Sequence, residues 1–284
     1  VSFDAAEFRD RSLEGWEASA PGWVRRQEQI SRWAAPVAHW MVQAIDPQPG
    51  QRVLDLAAGL GETGMLAAEL VAPVGSVLIS DQTEQMLDGA RERAARLGLR
   101  NVEFKVLNAE WIDLPLASVD AVLCRWGYML MADIGAALGE TRRVLRSGGR
   151  VALAVWDSIE VNPWALLPAQ TLIDLGHSSA TGTDGRPGPF ALGDRERLAE
   201  TLEQAGFVDP QIDALDIVRH HRSFEDLWDF QLDVSQSFHE AVMSLPESEI
   251  VAVRVALQER MAPFTRDSGA LEIAGRTLVA VAEA

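Results

Sequence analysis

Hydrophobic and polar positions in the middle of the chain alternate between two periods. Short, nearly continuous apolar runs begin at Val53 and recur at Gly75–Asp81, Asn101–Asn108, Val119–Trp126 and Arg150–Trp156. Between them Thr63–Val71, Thr83–Leu97 and Asp133–Leu145 space their apolar residues as helices do, the last being stopped by Gly148 and Gly149. Apolar runs of this kind belong to strands buried on both faces, and their alternation with helices predicts a parallel sheet covered on both sides. These βα units account for roughly residues 50–156, the expected core of an α/β fold.

The pattern changes on either side of that core. Val24, Ile30, Trp33, Val37, Trp40, Met41 and Ala44 recur at helical spacing and predict an N-terminal helical arm over 1–49, interrupted at Pro36. Beyond Trp156 the spacing predicts a helix over Asn162–Leu175, a Gly/Ser/Thr/Pro stretch at His177–Pro189 that is a candidate lid, and a helix over Asp194–Gly206. A strand near Gln211–His221, two helices over Ser223–Leu245 and Glu247–Met261, and a last strand near Leu271–Glu283 complete the reading. The two helices fall between the last two strands, where an insertion forms a cap over the sheet's ligand edge. The expectation is a Rossmann-like, seven-stranded, mostly parallel sheet with helices on both faces. Residues 157–284 supply the rest of that sheet with its cap, within one domain.

Composition narrows the function classes. The chain of 284 residues carries 42 acidic against 25 basic side chains, a net charge of -17, which disfavours a nonspecific grip on nucleic acid or an anionic membrane. No apolar run approaches the roughly 20 residues that span a bilayer, and the start lacks the pattern of a signal peptide. Lys105 is the only lysine and stands outside any P-loop, which removes that route to phosphoryl transfer. A single cysteine, Cys124, allows neither an internal disulfide nor a thiolate zinc site. With no H-E-x-x-H, EF-hand or G-x-S-x-G pattern either, no metal and no hydrolase elbow are expected. The expected setting is cytoplasmic; oligomeric state leaves no mark in the sequence.

The candidate chemistry centres on Val53–Gly64, VLDLAAGLGETG, where a strand runs into Asp55 and then a glycine-dense turn that opens a helix. Gly59 and Gly61 let the backbone turn tightly and approach a ligand. Together with Gly64 they also satisfy G-x-G-x-x-G, so a dinucleotide competes with other nucleoside cofactors. Asp55 separates the two, because a dinucleotide strand points an apolar side chain into the core at that position. The arrangement D-x-A-A-G-x-G resembles motif I of the class I S-adenosylmethionine-dependent methyltransferases, which usually carry glycine where this chain has Ala57. Asp81, about 20 residues beyond the turn, is placed to hold ribose hydroxyls, or to cap the following helix.

Asn108-Ala109-Glu110-Trp111, followed by Leu114-Pro115, is similar to the D-A-x-x-L-P segment of the methyltransferases of ubiquinone and menaquinone biosynthesis, with Asn108 in place of the acid. The resemblance implies that Asp55, Ala57, Gly59, Gly61, Asp81, Gln82 and Met86 hold the cofactor. It implies that Asn108, Ala109 and Glu110 meet its adenine, and that Cys124 and Arg125 meet its amino-acid end. It further implies S-adenosylmethionine as donor, S-adenosylhomocysteine as product, and a small-molecule acceptor.

Tryptophans favour an apolar or aromatic acceptor, with Trp16, Trp23, Trp126, Tyr128, Trp156 and Trp164 as candidate pocket residues. His177 and His221 are the candidate general bases near neutral pH, for oxygen or carbon methylation by in-line displacement. Two alternatives stay open at this point: an NAD-linked oxidoreductase, and a catalytically silent S-adenosylmethionine-binding module.

Overall fold

The Asp4 carboxylate accepts from the amides of Ala6 and Glu7, and from this cap the backbone stays helical for 41 residues as α1 (Ala5–Ile45). The computed structural model describes residues 3–178 and 186–284. Pro36 does not interrupt α1 as the pattern predicts: the helix runs through both Pro21 and Pro36. Tertiary packing overrides the two prolines, because Ile30, Trp33, Ala34, Val37, Met41 and Ile45 are buried in the main core.

The core then alternates as expected: β1 (Arg52–Asp55), α2 (Glu62–Val71), β2 (Ser76–Asp81), α3 (Glu84–Leu97), β3 (Val102–Val106), β4 (Val119–Arg125), α4 (Ile134–Val144) and β5 (Leu145–Trp156). Thr83 and Asp133 cap α3 and α4 through their side chains. After β5 come α5 (Pro163–Asp174), α6 (Arg195–Gln204), β6 (Val208–His221), α7 (Phe224–Val234), α8 (Gln236–Met243), α9 (Glu247–Met261) and β7 (Leu271–Glu283). The expected helix over Ser223–Leu245 is two helices, because Ser235 is extended (φ -106°, ψ 97°) and ends α7 while opening α8. Most of the expected lid, 179–185, lies outside the described residues; at its far side the Gly188 amide donates to the Met129 carbonyl.

The sheet order is β3-β2-β1-β4-β5-β7-β6. Pairing is parallel from β3 to β5, and β7 runs antiparallel to both β5 and β6. This mixed seven-stranded sheet differs from the order 3-2-1-4-5-6 of the dinucleotide-binding fold, which removes the topological support for a nicotinamide cofactor. Phe224, Trp228, Phe238, Val253, Leu257 and Ile273 form a second cluster that holds α7 to α9 over the far end of the sheet.

Ion pairs and a close backbone approach lock α1 to this cap. Arg26 reaches Asp226 (Nη1–Oδ1 2.8 Å) and Asp233 (Nε–Oδ2 2.6 Å), and Gly22 lets the backbones approach so closely that a Cβ there would stand 2.1 Å from the Asp233 carbonyl oxygen. Alanine in place of glycine inside a helix ordinarily stabilises by about 1 kcal/mol. Here Gly22→Ala is expected to have the opposite sign, a loss of about 1–3 kcal/mol from overpacking, read by denaturant unfolding. A stabilised variant would show that the helices part without cost.

Candidate active site

Asp55 ends β1 inside the protein, 1% exposed, where its Oδ2 accepts from the Gly64 amide at 2.7 Å. Burial pushes its carboxyl up to about 7, against the opposing pull of that amide and of Arg125. A Cβ on Gly64 would sit 2.7 Å from the same oxygen, so the glycine admits the carboxylate to the first turn of α2. Gly61, the N-cap of α2, adopts φ 73° and its Cβ would press on Ile79 and Met65; its need for glycine is conformational. Ala57 takes φ 51°, the left-handed region, which explains why the resembled motif carries glycine there.

The turn opens onto a cleft at the carboxyl ends of β1 to β4, roofed by the first part of α1. Of the residues expected to hold a cofactor, Ala57, Gly59, Asp81, Gln82, Met86 and Arg125 line it, as do Asn108, Ala109 and Glu110. Asp55, Gly61 and Cys124 do not; they stand behind the wall and shape it. The Cys124 thiol is buried under Gly127, and burial followed by the charge of Asp55 raises its pKa, so it is not a nucleophile.

Charges in the cleft come in pairs. Asp81 Oδ2 accepts from the Gly59 amide at 2.8 Å and Oδ1 from the Thr83 amide at 3.1 Å; burial raises its pKa against these bonds. Glu62 meets Arg125 at 2.7 Å and Arg93 at 3.4 Å. Burial pushes the Glu62 carboxyl up, but Arg125, Ser31 and Arg93 more than reverse this and leave it below the ordinary range. Glu110 is shared between Arg9 of α1, at 2.5 Å, and the Ala132 amide, at 2.8 Å. Arg9, Arg93 and Glu62 belong to the cleft without having been expected there, because their partners lie far along the chain and no local pattern marks them.

The aromatic candidates divide. Trp16, Trp23 and Trp126 line the cleft. Tyr128 is turned the other way by a 3-10 turn (Tyr128–Leu130) into the core, fully buried with its hydroxyl 2.6 Å from Thr141 Oγ1. Trp156 and Trp164 lie one layer deeper: Trp126 stacks on Trp156 with centroids 4.3 Å apart, and Trp156 meets Trp164 edge-on at 4.7 Å. Trp126 holds φ 58°, a strained conformation for a bulky residue, with its Nε1 donating to Thr277 Oγ1 at 3.0 Å.

Neither candidate histidine reaches the cleft. His177 follows α5 and its Nδ1 stands 3.5 Å from Glu249 of α9. His221 is buried at the end of β6, its Nδ1 3.1 Å from Gln29 Nε2 and its ring edge-on to Phe230. Burial drives its pKa down to about 4, against the attraction of Asp226 and helped by Arg219. It is therefore neutral at pH 7 and a weak base. Because the folded pKa lies below the unfolded value near 6.5, the unfolded chain binds more protons between those limits, and stability falls as pH drops from about 6.5 towards 4. His221→Phe is expected to flatten this limb: between pH 7 and 4.5 the wild type should lose about 2 kcal/mol more than the variant in denaturant unfolding. Equal losses would assign the acid sensitivity elsewhere.

Residues 47–177 match the family model described as a methyltransferase domain. The arsenite methyltransferase of Halobacterium salinarum is 34% identical over 187 residues, covering 65% of this chain and 43% of that protein. Nocamycin O-methyltransferase of Saccharothrix syringae is 30% identical over 182 residues, 61% of this chain and 65% of that one. The ubiquinone/menaquinone biosynthesis C-methyltransferase UbiE of Xanthomonas oryzae pv. oryzae is 34% identical over 121 residues, 42% and 48%. The chain thus spans about half the length of the curated relatives it matches. Glycine turn, sheet order and sequence match agree: residues 47–177 are a methyltransferase domain of the class I S-adenosylmethionine-dependent kind, with UbiE and other small-molecule methyltransferases as distant relatives.

Proposed function

We propose that the chain transfers a methyl group from S-adenosylmethionine to oxygen or carbon of a small apolar or aromatic acceptor. The observation that carries this reading is the cleft at the ends of β1 to β4, in which a glycine turn faces an aspartate at the end of β2 and a tryptophan at the end of β4. The residues present fit the cofactor. A Cβ on Gly59 would meet no atom within 4 Å, so the turn leaves free space at the ligand side, and Asp81 offers a carboxylate for ribose hydroxyls. Asn108, Ala109 and Glu110 would meet the adenine edge, and Arg125 the amino-acid end. The cofactor supplies a methyl already activated on a sulfonium.

What remains for the protein is alignment, exclusion of water and the ionisation state of the acceptor. The roof of α1, with Trp16 and Trp23, excludes water from the cleft. Among the described residues no carboxylate or histidine of the cleft stands free to take a proton: Glu62 and Glu110 are held by arginines, and Asp81 by backbone amides. An acceptor acidic enough to arrive ionised needs no such base, which favours an acidic phenol, enol or carboxylic acid over an alcohol or amine. The three relatives differ in what they methylate by name, arsenite, oxygen and carbon, so the family alone does not choose the acceptor atom. The one cysteine is buried and inert, which argues against a thiophilic metalloid here.

Calorimetry with S-adenosylmethionine, S-adenosylhomocysteine and NADH tests the reading. The first two should saturate and the third should not; selective NADH binding would overturn it. Transfer to a panel of acidic aromatic acceptors then separates an enzyme from a silent binding module. Asp81→Ala should weaken S-adenosylmethionine by about 1.5–3 kcal/mol, the worth of charge-assisted hydrogen bonds, without unfolding the chain. Unchanged affinity would remove Asp81 from the site.

A further inference from the structure

Arg219 lies on β6 opposite Ile273 of β7, on the same face as Ile217 and His221, and is 5% exposed. Its guanidinium carbon stands 3.5 Å from the ring centroid of Trp164, 4.3 Å from that of Trp33 and 5.0 Å from that of Trp156. Among the described residues it has no carboxylate within ion-pair distance, and its Nε is buried without a hydrogen-bond partner. Asp226, the acid near the end of this strand, is bound to Arg26 and to the Arg222 amide.

Among the described residues this cage offers no acceptor to Arg219 Nε or Trp33 Nε1. Arginine and the indole nitrogen are donors only. Trp33 Nε1, on a ring that faces the guanidinium, is likewise buried without a partner. The neighbouring tryptophans are satisfied: Trp126 Nε1 donates to Thr277 Oγ1, and Trp164 Nε1 donates to Asn162 Oδ1 at 2.8 Å. Gly275 makes room for this arrangement, since a Cβ there would stand 3.0 Å from the Trp164 ring. Stacking on tryptophan does not by itself offset a buried cation with donors left unmade. Burial accordingly drives the Arg219 pKa well below its ordinary value.

We propose that Arg219, boxed by Trp33, Trp156 and Trp164, receives an anionic oxygen, a carboxylate or an ionised hydroxyl, carried by an aromatic acceptor. The position suits the methyl-transfer reading, on which this inference rests. Trp126 lines the cleft and stacks on Trp156, whose ring the guanidinium meets, so the rings of Trp126 and Trp156 stand between the guanidinium and the space beside the cofactor. Trp126, the outer of the two, is held at a strained backbone angle. An acceptor ring replacing the stacked partner of Trp156 would bring its anionic oxygen to Arg219 and Trp33. The same acceptor would need no general base, in keeping with the paired carboxylates of the cleft. The cation selects the ionised acceptor, and the tryptophans select its planar body.

The test is calorimetric titration of the full chain with 1-naphthoate and with the uncharged 1-naphthamide, with and without S-adenosylhomocysteine. Wild type should prefer the naphthoate by about tenfold or more, the effect of a charged hydrogen bond. Arg219→Met should abolish that preference while binding S-adenosylhomocysteine as before; Arg219→Lys should restore it only in part, since lysine lacks the planar fork. Equal affinity of wild type for the two probes, binding of neither, or a preference that survives in Arg219→Met would overturn the proposal. Should the Met variant not fold, thermal unfolding of wild type decides: naphthoate raises Tm and naphthamide does not, or the proposal falls. Loss of S-adenosylhomocysteine binding in wild type would sink the methyl-transfer reading, whereas the comparison of the two naphthyl probes without it reads the cage alone.

Discussion

The hydrogen bond from the Gly64 amide to the buried Asp55 carboxylate fixes the geometry on which the cleft depends. It joins the end of β1 to the first turn of α2 and closes the turn between them. Ala57 and Gly61 are thereby held in left-handed conformations, and the Gly59 amide is aimed at Asp81 across the gap to β2. Two glycines around this turn leave no room for a side chain. A side chain at Gly64 collides with Asp55, and one at Gly127 would collide with Ala57 and Cys124. Asp55 therefore acts on the cleft at one remove, through the backbone that it positions, and its absence from the cleft wall does not make it incidental.

Electrostatic pairing explains both what the cleft can do and what it cannot. Glu62 bridges Arg93 of α3 and Arg125 of β4, so the wall between the two helices and the sheet is knit by one carboxylate. Glu110 joins the loop after β3 to Arg9 in the roof and to Ala132. These pairs hold the acidic groups in the architecture of the cleft. The uncompensated cation lies deeper, among tryptophans, where low polarity makes a single anion valuable. On the reading proposed above, a paired cleft and an unpaired arginine behind it both select an ionised acceptor.

The local parts of this architecture were legible in the sequence. The core strands and helices stand within a few residues of where periodicity, caps and glycines put them, because the central strands β1, β2 and β4 are buried on both faces and each helix stop is written in adjacent residues. Where the pattern misled, long-range packing decided. Pro36 remains helical because the face of α1 around it is sealed against the sheet, and Ser235 splits a stretch whose apolar spacing is unbroken. The same division holds at the site. The motif after β1, Asp81 and the Asn108–Glu110 segment are contiguous and reach the cleft together, whereas Arg9 meets Glu110 across 101 positions of sequence. Tyr128, a candidate pocket residue by sequence, is turned into the core by a single 3-10 turn. Arg219 did leave a trace: it follows Ile217 on the alternating buried face of β6, where an arginine contradicts its surroundings.

The two halves of α1 are held to the protein by different forces, and the difference decides how the cleft can be entered. From Ile30 onward the helix is part of the core, with Val37, Ala38 and Met41 wholly buried, and it cannot leave without unfolding the sheet's cover. Ahead of Gly15 no residue of the helix is buried, and its tie to the cleft is the pair of Arg9 with Glu110, in which the arginine is 41% exposed. A pair with that much solvent is worth no more than about 1 kcal/mol. Between these halves Trp16, Ala20 and Trp23 pack on Leu60 and Met86, directly over the glycine turn. The roof is thus cheap to lift at its free end and fixed at its root. One continuous helix serves as both core and cover, and the cofactor site lies where its grip changes from one to the other.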